Sequence, residues 1–260
     1  MSFEILTLVH GDVALQIVPA RGALLASIVV LGKEVLYLDQ ATLDDPSKNV
    51  RGGIPVLFPY AGKLVDGRFL AAGTTMNQHG FGRNRPWAVQ DQDLRSVRMR
   101  LVQDAETRAQ YPYEYEADYC VTALSRGALV RLIVRNTGSR PVPLSPGWHP
   151  YFRCPAALKS HVTGNVDGFT ADKIGNEREF DFGLVPPSTG QTQFRIPELG
   201  TVRIDFSPTM RHMQFWSQPG KDFVCLEPFY GPSNAINTDG RLDVPAGLSE
   251  ELWMRIELEA

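Results

Sequence analysis

The closing stretch LWMRIELEA sets apolar Leu252, Met254, Ile256 and Leu258 against polar Arg255, Glu257 and Glu259. A strict period of two marks an extended strand with one face in a core and the other in water. The same period recurs along the chain. VALQIV (13–18) places Val13, Leu15 and Ile17 on one face. LLASIVV and EVLYL flank Gly32-Lys33 as the arms of a hairpin, and YEADYCVTAL and ALVRLIVRN do the same around Ser125-Arg126-Gly127. TVRIDF, HMQFWS and FVCLEPF follow, with a Pro-Gly turn at 219–220 between the last two. Helical character is confined to a short piece, AETRAQ at 105–110. So many strands joined by Gly/Pro turns predict an all-β chain, a large antiparallel sandwich or barrel with few short helices. No internal repeat and no linker of shifted composition divides it, so residues 1–260 read as one domain.

Composition removes whole classes of function. A formal net charge of −3 and the lack of any polybasic cluster argue against nucleic acid and against a membrane surface as partner. No apolar stretch approaches the length of a membrane span. The N-terminal MSFEILTLVHGDVALQIV lacks a charged segment followed by an apolar run, so no signal peptide is expected. Cys120, Cys154 and Cys225 are odd in number, widely spaced and without CxxC, which fits reduced thiols. The expectation is a soluble cytoplasmic protein, monomer or homodimer, acting on a small molecule.

RGGIPVLFPYAGKLVDGRF (51–69) interrupts the alternation. Gly52-Gly53 permits positive φ or close backbone approach, while Pro55 and Pro59 fix φ and delete amide donors. Such a segment suits a rigid, partly buried loop. Gly62-Lys63 looks like the end of a phosphate loop, but Leu57 and Leu64 stand where its first glycine and its hydroxyl residue belong.

GxGxxG, GxSxG, HExxH and EF-hand patterns are all absent. Three stretches instead set ionisable groups among aromatics and prolines: QHGFGRNRPW (78–87), PGWHPYF (146–152) and CLEPFYGPSNAIN (225–237). His149 lies between Trp148 and Pro150, either packed into an aromatic loop or held ready to donate a proton near neutral pH. His79 precedes Arg83, Asn84 and Arg85, donors suited to hydroxyls or anions, or simply a solvated turn. Glu227 ends an apolar strand, where desolvation makes a carboxylate a competent base unless an arginine pairs with it. Two His and one Glu could also hold zinc, but no close HxH or helical HxxxH supports it, so no metal is expected.

In this order RGALLASI, GGIPVLFPYAGKL, HGFGR, YPYEYE, HPYF, LEPFYGP and VPAG resemble the aldose 1-epimerase, or galactose mutarotase-like, family nearly end to end. The resemblance implies a large antiparallel β-sandwich with a sugar in an open cleft, and interconversion of α and β anomers through ring opening. It assigns the general base to Glu227, the general acid to His149 and a sugar contact to His79. The family's arginine after the GGIP loop falls on Lys63, which keeps the charge and loses the bidentate fork. A family aspartate between the second His and the Glu has Asp205 and Asp222 as candidates, neither in the family's context. The RGGIP and HGFGR wording is closer to the hexose-6-phosphate epimerase branch, in which basic residues hold a phosphate; Arg51, Lys63 and Arg83 match. No cofactor is implied, since the reaction only moves protons. A non-catalytic carbohydrate-binding protein is the competing class on the same fold. Two geometric expectations follow. His149 and Glu227 should face each other across one cleft, about a sugar ring apart. Arg51, Lys63 and Arg83 should converge on one rim, unless Arg51 and Arg83 pair with carboxylates such as Asp66 or Asp222.

Overall fold

Residues 3–259 are described by a computed structural model. Two antiparallel sheets dominate. The larger orders Thr163–Gly164, Gln191–Ile196, Gly200–Phe206, Ser249–Glu259, Gly127–Asn136, Tyr115–Leu124, Ser96–Leu101 and Trp87–Gln92. The smaller orders Phe180–Leu184, His212–Ser217, Phe223–Phe229, Gly147–Trp148 and Val56–Leu57, with Tyr151–Arg153 also pairing to Phe223–Phe229. A further four-stranded sheet gathers Leu6–His10, Val13–Val18, Leu24–Val30 and Lys33–Glu34. No helix among the described residues is long and apolar enough to cross a membrane.

The alternation in the last strand works as expected. Leu252, Met254, Ile256 and Leu258 are buried, while Arg255 donates to Glu257 on the outer face at 2.7 Å. Arg100 meets Asp118 across strands on that same outer face at 2.6 Å. A cross-strand pair such as Arg100–Asp118 adds only about 0.2–1 kcal/mol. The inner faces of the two large sheets supply the main stabilisation. Phe194, Phe206 and Tyr119 from one, with Met213, Phe215, Val224 and Leu226 from the other, are buried in one continuous core. Each large apolar side chain so buried is worth about 1.5–3 kcal/mol.

AETRAQ is the helix Ala105–Gln110, opened by a capping box in which Asp104 accepts from the Thr107 amide. A second short helix, Gln40–Asp44, is capped by Asp39. The expected hairpin at Gly32 forms, but its second arm is only Lys33–Glu34. The Glu34 carboxylate turns back to accept from the Ile28 and Leu36 amides, which ends the ladder there. The chain beyond bridges the smaller sheet through Leu36 to Phe152, and the loop ahead of Val56–Leu57 through Leu38 to Gly52.

Candidate active site

Phe223–Phe229 points Val224 and Leu226 into the core, so Cys225, Glu227 and Phe229 face the other way. Register extends that face across the sheet. Gln214 lies opposite Glu227, and Gly183 opposite Gln214. One row over, Asp181 lies opposite Trp216, Trp216 opposite Cys225, and Cys225 opposite Tyr151. Gly147 pairs with Phe229 and Tyr151 with Cys225 on the same strand, which brings His149, midway between them, level with Glu227.

Loops roof this face. The His149 amide donates to the Pro55 carbonyl at 3.1 Å. Its ring stacks on Tyr151 at 4.6 Å and meets Trp216 edge-on at 5.6 Å. His79 is fixed by reciprocal bonds to Gly62: its own amide donates to the Gly62 carbonyl at 2.8 Å, and its Nδ1 accepts from the Gly62 amide at 2.9 Å. In the neutral ring the proton therefore sits on Nε2, and the Gln78 side-chain amide 3.0 Å away must present its oxygen, not its nitrogen, to accept from it. This needs unusual backbone. His79 has φ +69°, and Gly80 follows at φ +64° with the Phe58 carbonyl oxygen 2.3 Å from where a Cβ would sit. Only glycine fits there.

One cleft of about 370 Å³ results, and Arg51, Lys63, His79, Arg83, His149 and Glu227 all line it. None of the three cations joins an ion pair with a described residue. Arg83 donates to the Gln78 carbonyl at 3.2 Å and keeps its Nε buried without a partner, while Arg51 lies 5.3 Å over the Trp216 ring. The aspartates that could have braced them are elsewhere: Asp66 is exposed in a turn, and Asp222 accepts from the Ala156 amide. Neither candidate for the family's aspartate reaches the cleft, since Asp205 is tied to Arg203 at 2.8 Å on the larger sheet and Asp222 lines a different pocket. Glu179 and Asp181 line it instead. Glu179 accepts from the Trp216 indole at 2.6 Å, and Asp181 accepts from Gln214.

His149 Nδ1 lies 3.4 Å from Glu227 Oε2. This corrects the expected separation: the two are register neighbours in contact, not partners a ring's width apart. Glu227 is 1% exposed, and His149 Nδ1 is buried with no hydrogen-bond partner. Burial pushes the Glu227 carboxyl well above its ordinary value, the Asp181 charge adds to this, and Arg83 opposes it. Burial pulls His149 well below its ordinary value, helped by Arg83 and Arg51. Both directions favour the uncharged form of the pair, carboxylic acid facing imidazole, over carboxylate facing imidazolium. His79 is likewise lowered by burial, then by Arg83, His149, Arg51 and Lys63.

The sequence profile of the aldose 1-epimerase family matches residues 4–171. The chain belongs to that family. A curated relative from Escherichia coli K12, named "Putative glucose-6-phosphate 1-epimerase", is 31% identical over 168 residues, 61% of this chain and 51% of its own length. The chain therefore spans about half the length of the curated relatives it matches. Among solved structures, the Slr1438 protein from Synechocystis sp. PCC 6803 superposes with a TM-score of 0.91 at 28% identity, covering 100% of this chain and 97% of that one. A galactose mutarotase-like protein from Lactobacillus casei shares the fold, with a TM-score of 0.79 at 21% identity over 98% and 100% of the two chains.

Family motifs thus bring all six candidate residues into one cleft. Reading the sequence misses Asp181, Gln214 and Trp216. HMQFWS puts Gln214 and Trp216 on one face of a strand, but nothing in the alternation says which face meets the cleft. EFDFGL (179–184) alternates too, and is the signal that could have pointed to Asp181.

Proposed function

We propose that the chain interconverts the α and β anomers of an aldose by acid/base ring opening and closing. The observation that carries this is the buried His149–Glu227 pair, in contact at 3.4 Å with His149 Nδ1 free of any hydrogen bond, on the wall of a polar cleft of sugar size. In ring opening, Glu227 as carboxylate takes the C1 hydroxyl proton while His149 as imidazolium gives one to the ring oxygen. The pair is then uncharged, carboxylic acid beside imidazole, and the C1–C2 bond rotates. In closing, Glu227 returns its proton to the carbonyl oxygen and His149 recovers one from the C5 hydroxyl. The pair carries one proton throughout, and no cofactor is required. Burial favours the uncharged form, which is the form matched to the open-chain aldehyde. A bound ring sugar offsets that preference, its hydroxyl donating to Glu227 and its ring oxygen accepting from His149. Each positioned proton transfer contributes about 10²–10⁴-fold. His79, with its proton on Nε2, and Trp216 and Phe229 hold the sugar's polar edge and apolar face.

A second reading of the substrate is favoured by Arg51, Lys63 and Arg83, which lie along the cleft without carboxylate partners. Like charges so placed favour an anionic sugar, and phosphate accepts strongly from arginine. The name of the curated relatives points the same way, to a hexose 6-phosphate. Polarimetry on freshly dissolved α-glucose, α-galactose and glucose 6-phosphate tests both levels. Accelerated approach to equilibrium rotation is expected. No acceleration with any sugar would leave a carbohydrate-binding protein. Equal kcat/KM for glucose and its phosphate, insensitive to salt, would leave a plain aldose mutarotase.

A further inference from the structure

Cys225 has no part in the proton transfers, yet it shares a face with Glu227 two residues on. One ligand atom each from His149, Cys225 and Glu227 lies within 4.8 Å of the others. We propose that these three side chains form a site for one thiophilic divalent cation such as Zn²⁺, which blocks the acid/base pair rather than serving it. The donor set, one imidazole nitrogen, one thiolate and one carboxylate, is that of a zinc site with a fourth position open. Bonds of about 2.0–2.3 Å in a tetrahedron put neighbouring donors roughly 3.5 Å apart. His149 Nδ1 and Glu227 Oε2 already stand at 3.4 Å, and His149 Nδ1 is a buried lone pair or proton with nothing else to meet. Cys225 Sγ lies within 4.8 Å of both, so a shift of at most about 1 Å completes the set, within reach of a side chain turning about one bond.

Charge and protons balance. Zn²⁺ displaces the Cys225 thiol proton and the one proton held by the pair, so two protons leave and no electron moves. The product joins one dication, two anions and a neutral ring, with no net charge to bury. Arg51 and Arg83 oppose the incoming cation, and Asp181 favours it. Once the metal occupies the carboxylate and a ring nitrogen, the pair can no longer exchange a proton with a sugar. Only this inhibition rests on the anomerisation reading; metal binding does not.

The probe is CoCl₂, followed by absorbance. The wild-type protein should develop a thiolate-to-cobalt charge-transfer band that saturates at one equivalent, and ZnCl₂ should bleach it. Cys225→Ser and Cys225→Ala should lose the band, and Zn²⁺ should inhibit their anomerisation about tenfold less tightly or weaker. Cys154→Ser, which alters a buried thiol outside the cluster, should keep the band and the inhibition. Glu227→Gln keeps the thiol and should retain a weaker band, which tests the site even if both Cys225 variants fail to fold. Absence of a thiolate band in the wild type, or its survival in a folded Cys225 variant, would overturn the site. A band without Zn²⁺ inhibition would overturn the blocking role alone.

Discussion

The cleft has a loop wall and a sheet wall. Arg51, Lys63, His79 and Arg83 come from the irregular segments 51–63 and 78–83, where backbone bonds and left-handed residues hold the chain in place. Asp181, Gln214, Trp216 and Glu227 come from three adjacent strands, aimed by pleat and register. The charges sort the same way, cations on the loops and carboxylates at the sheet, with His149 at the seam. A pleated strand can carry a carboxylate into full burial because its neighbours in register close around it. The loop wall is buried too, from Gly52 to Gly62, but the cations that border it, Arg51 and Lys63, are exposed and keep their heads free for a ligand. The sheet wall is thus suited to proton transfer and the loop wall to recognition, and substitutions on the two should fail differently.

The largest effect belongs to the sheet wall. Glu227→Gln keeps shape and loses the proton acceptor, so anomerisation should fall by about two to four powers of ten with the circular dichroism unchanged. Activity within a few-fold of wild type would remove Glu227 from the base role. The same variant should be more stable than wild type. Folding raises the Glu227 carboxyl well above its ordinary value of 4.5, so across that window the folded state binds more protons than the unfolded chain. Wild-type stability therefore carries a term that falls as pH rises through the window, by up to about 1.4 kcal/mol per pH unit. Glutamine lacks that term, and the gap in denaturation free energy should widen as pH rises above that ordinary value. The lowered His149 adds the opposite slope below its ordinary value in both proteins, so it largely cancels in the difference.

On the loop wall the comparable lesion is to backbone. Gly80→Ala forces a Cβ into the space 2.3 Å from the Phe58 carbonyl oxygen at φ +64°. A loss of about 2 kcal/mol in chemical denaturation is expected, with KM raised because His79 is displaced. An unchanged midpoint would mean that the loop re-forms without its left-handed turn. Lys63→Met should be gentler. Lys63 is exposed and unpaired, so removing its charge should lower kcat/KM for glucose 6-phosphate by about tenfold or less, flatten its salt dependence, and spare glucose. Equal losses for both sugars would place Lys63 outside phosphate recognition.

The same division governs what the sequence discloses. Loop residues stand out because Gly52-Gly53, Pro55 and the HGF and HPYF stretches break a regular pattern, and breaks are visible. Strand residues are visible only as faces. LWMRIELEA announces its buried side because one face is wholly apolar, whereas Phe223–Phe229 is buried on both faces and hides which one carries chemistry. Glu227 was found because a charge in an apolar run is itself a break. Asp181 sits in a half-exposed strand where a carboxylate is ordinary, and only register with Trp216 and a hydrogen bond from Gln214 bring it to the cleft. Contact between His149 and Glu227 was hidden for the same reason, since it depends on two short strands pairing with one partner.

Asp181→Asn tests that register argument with the smallest expected change. Asparagine can still accept from Gln214 through its Oδ1, so the hydrogen bond survives and only the charge goes. Asp181 is the charge that raises Glu227 further after burial has done so, and it is not among the groups acting on His149. The working form of the pair holds one proton. Its acid limb is set by His149 gaining a second proton, and its alkaline limb by Glu227 losing the last one. Removing the Asp181 charge should therefore move the alkaline limb of kcat/KM to lower pH, by about one unit or less, and leave the acid limb in place. The window narrows from one side. A rise in KM with both limbs fixed would instead make Asp181 a sugar-hydroxyl acceptor with no electrostatic hold on Glu227, and an upward shift of the alkaline limb would contradict the coupling outright.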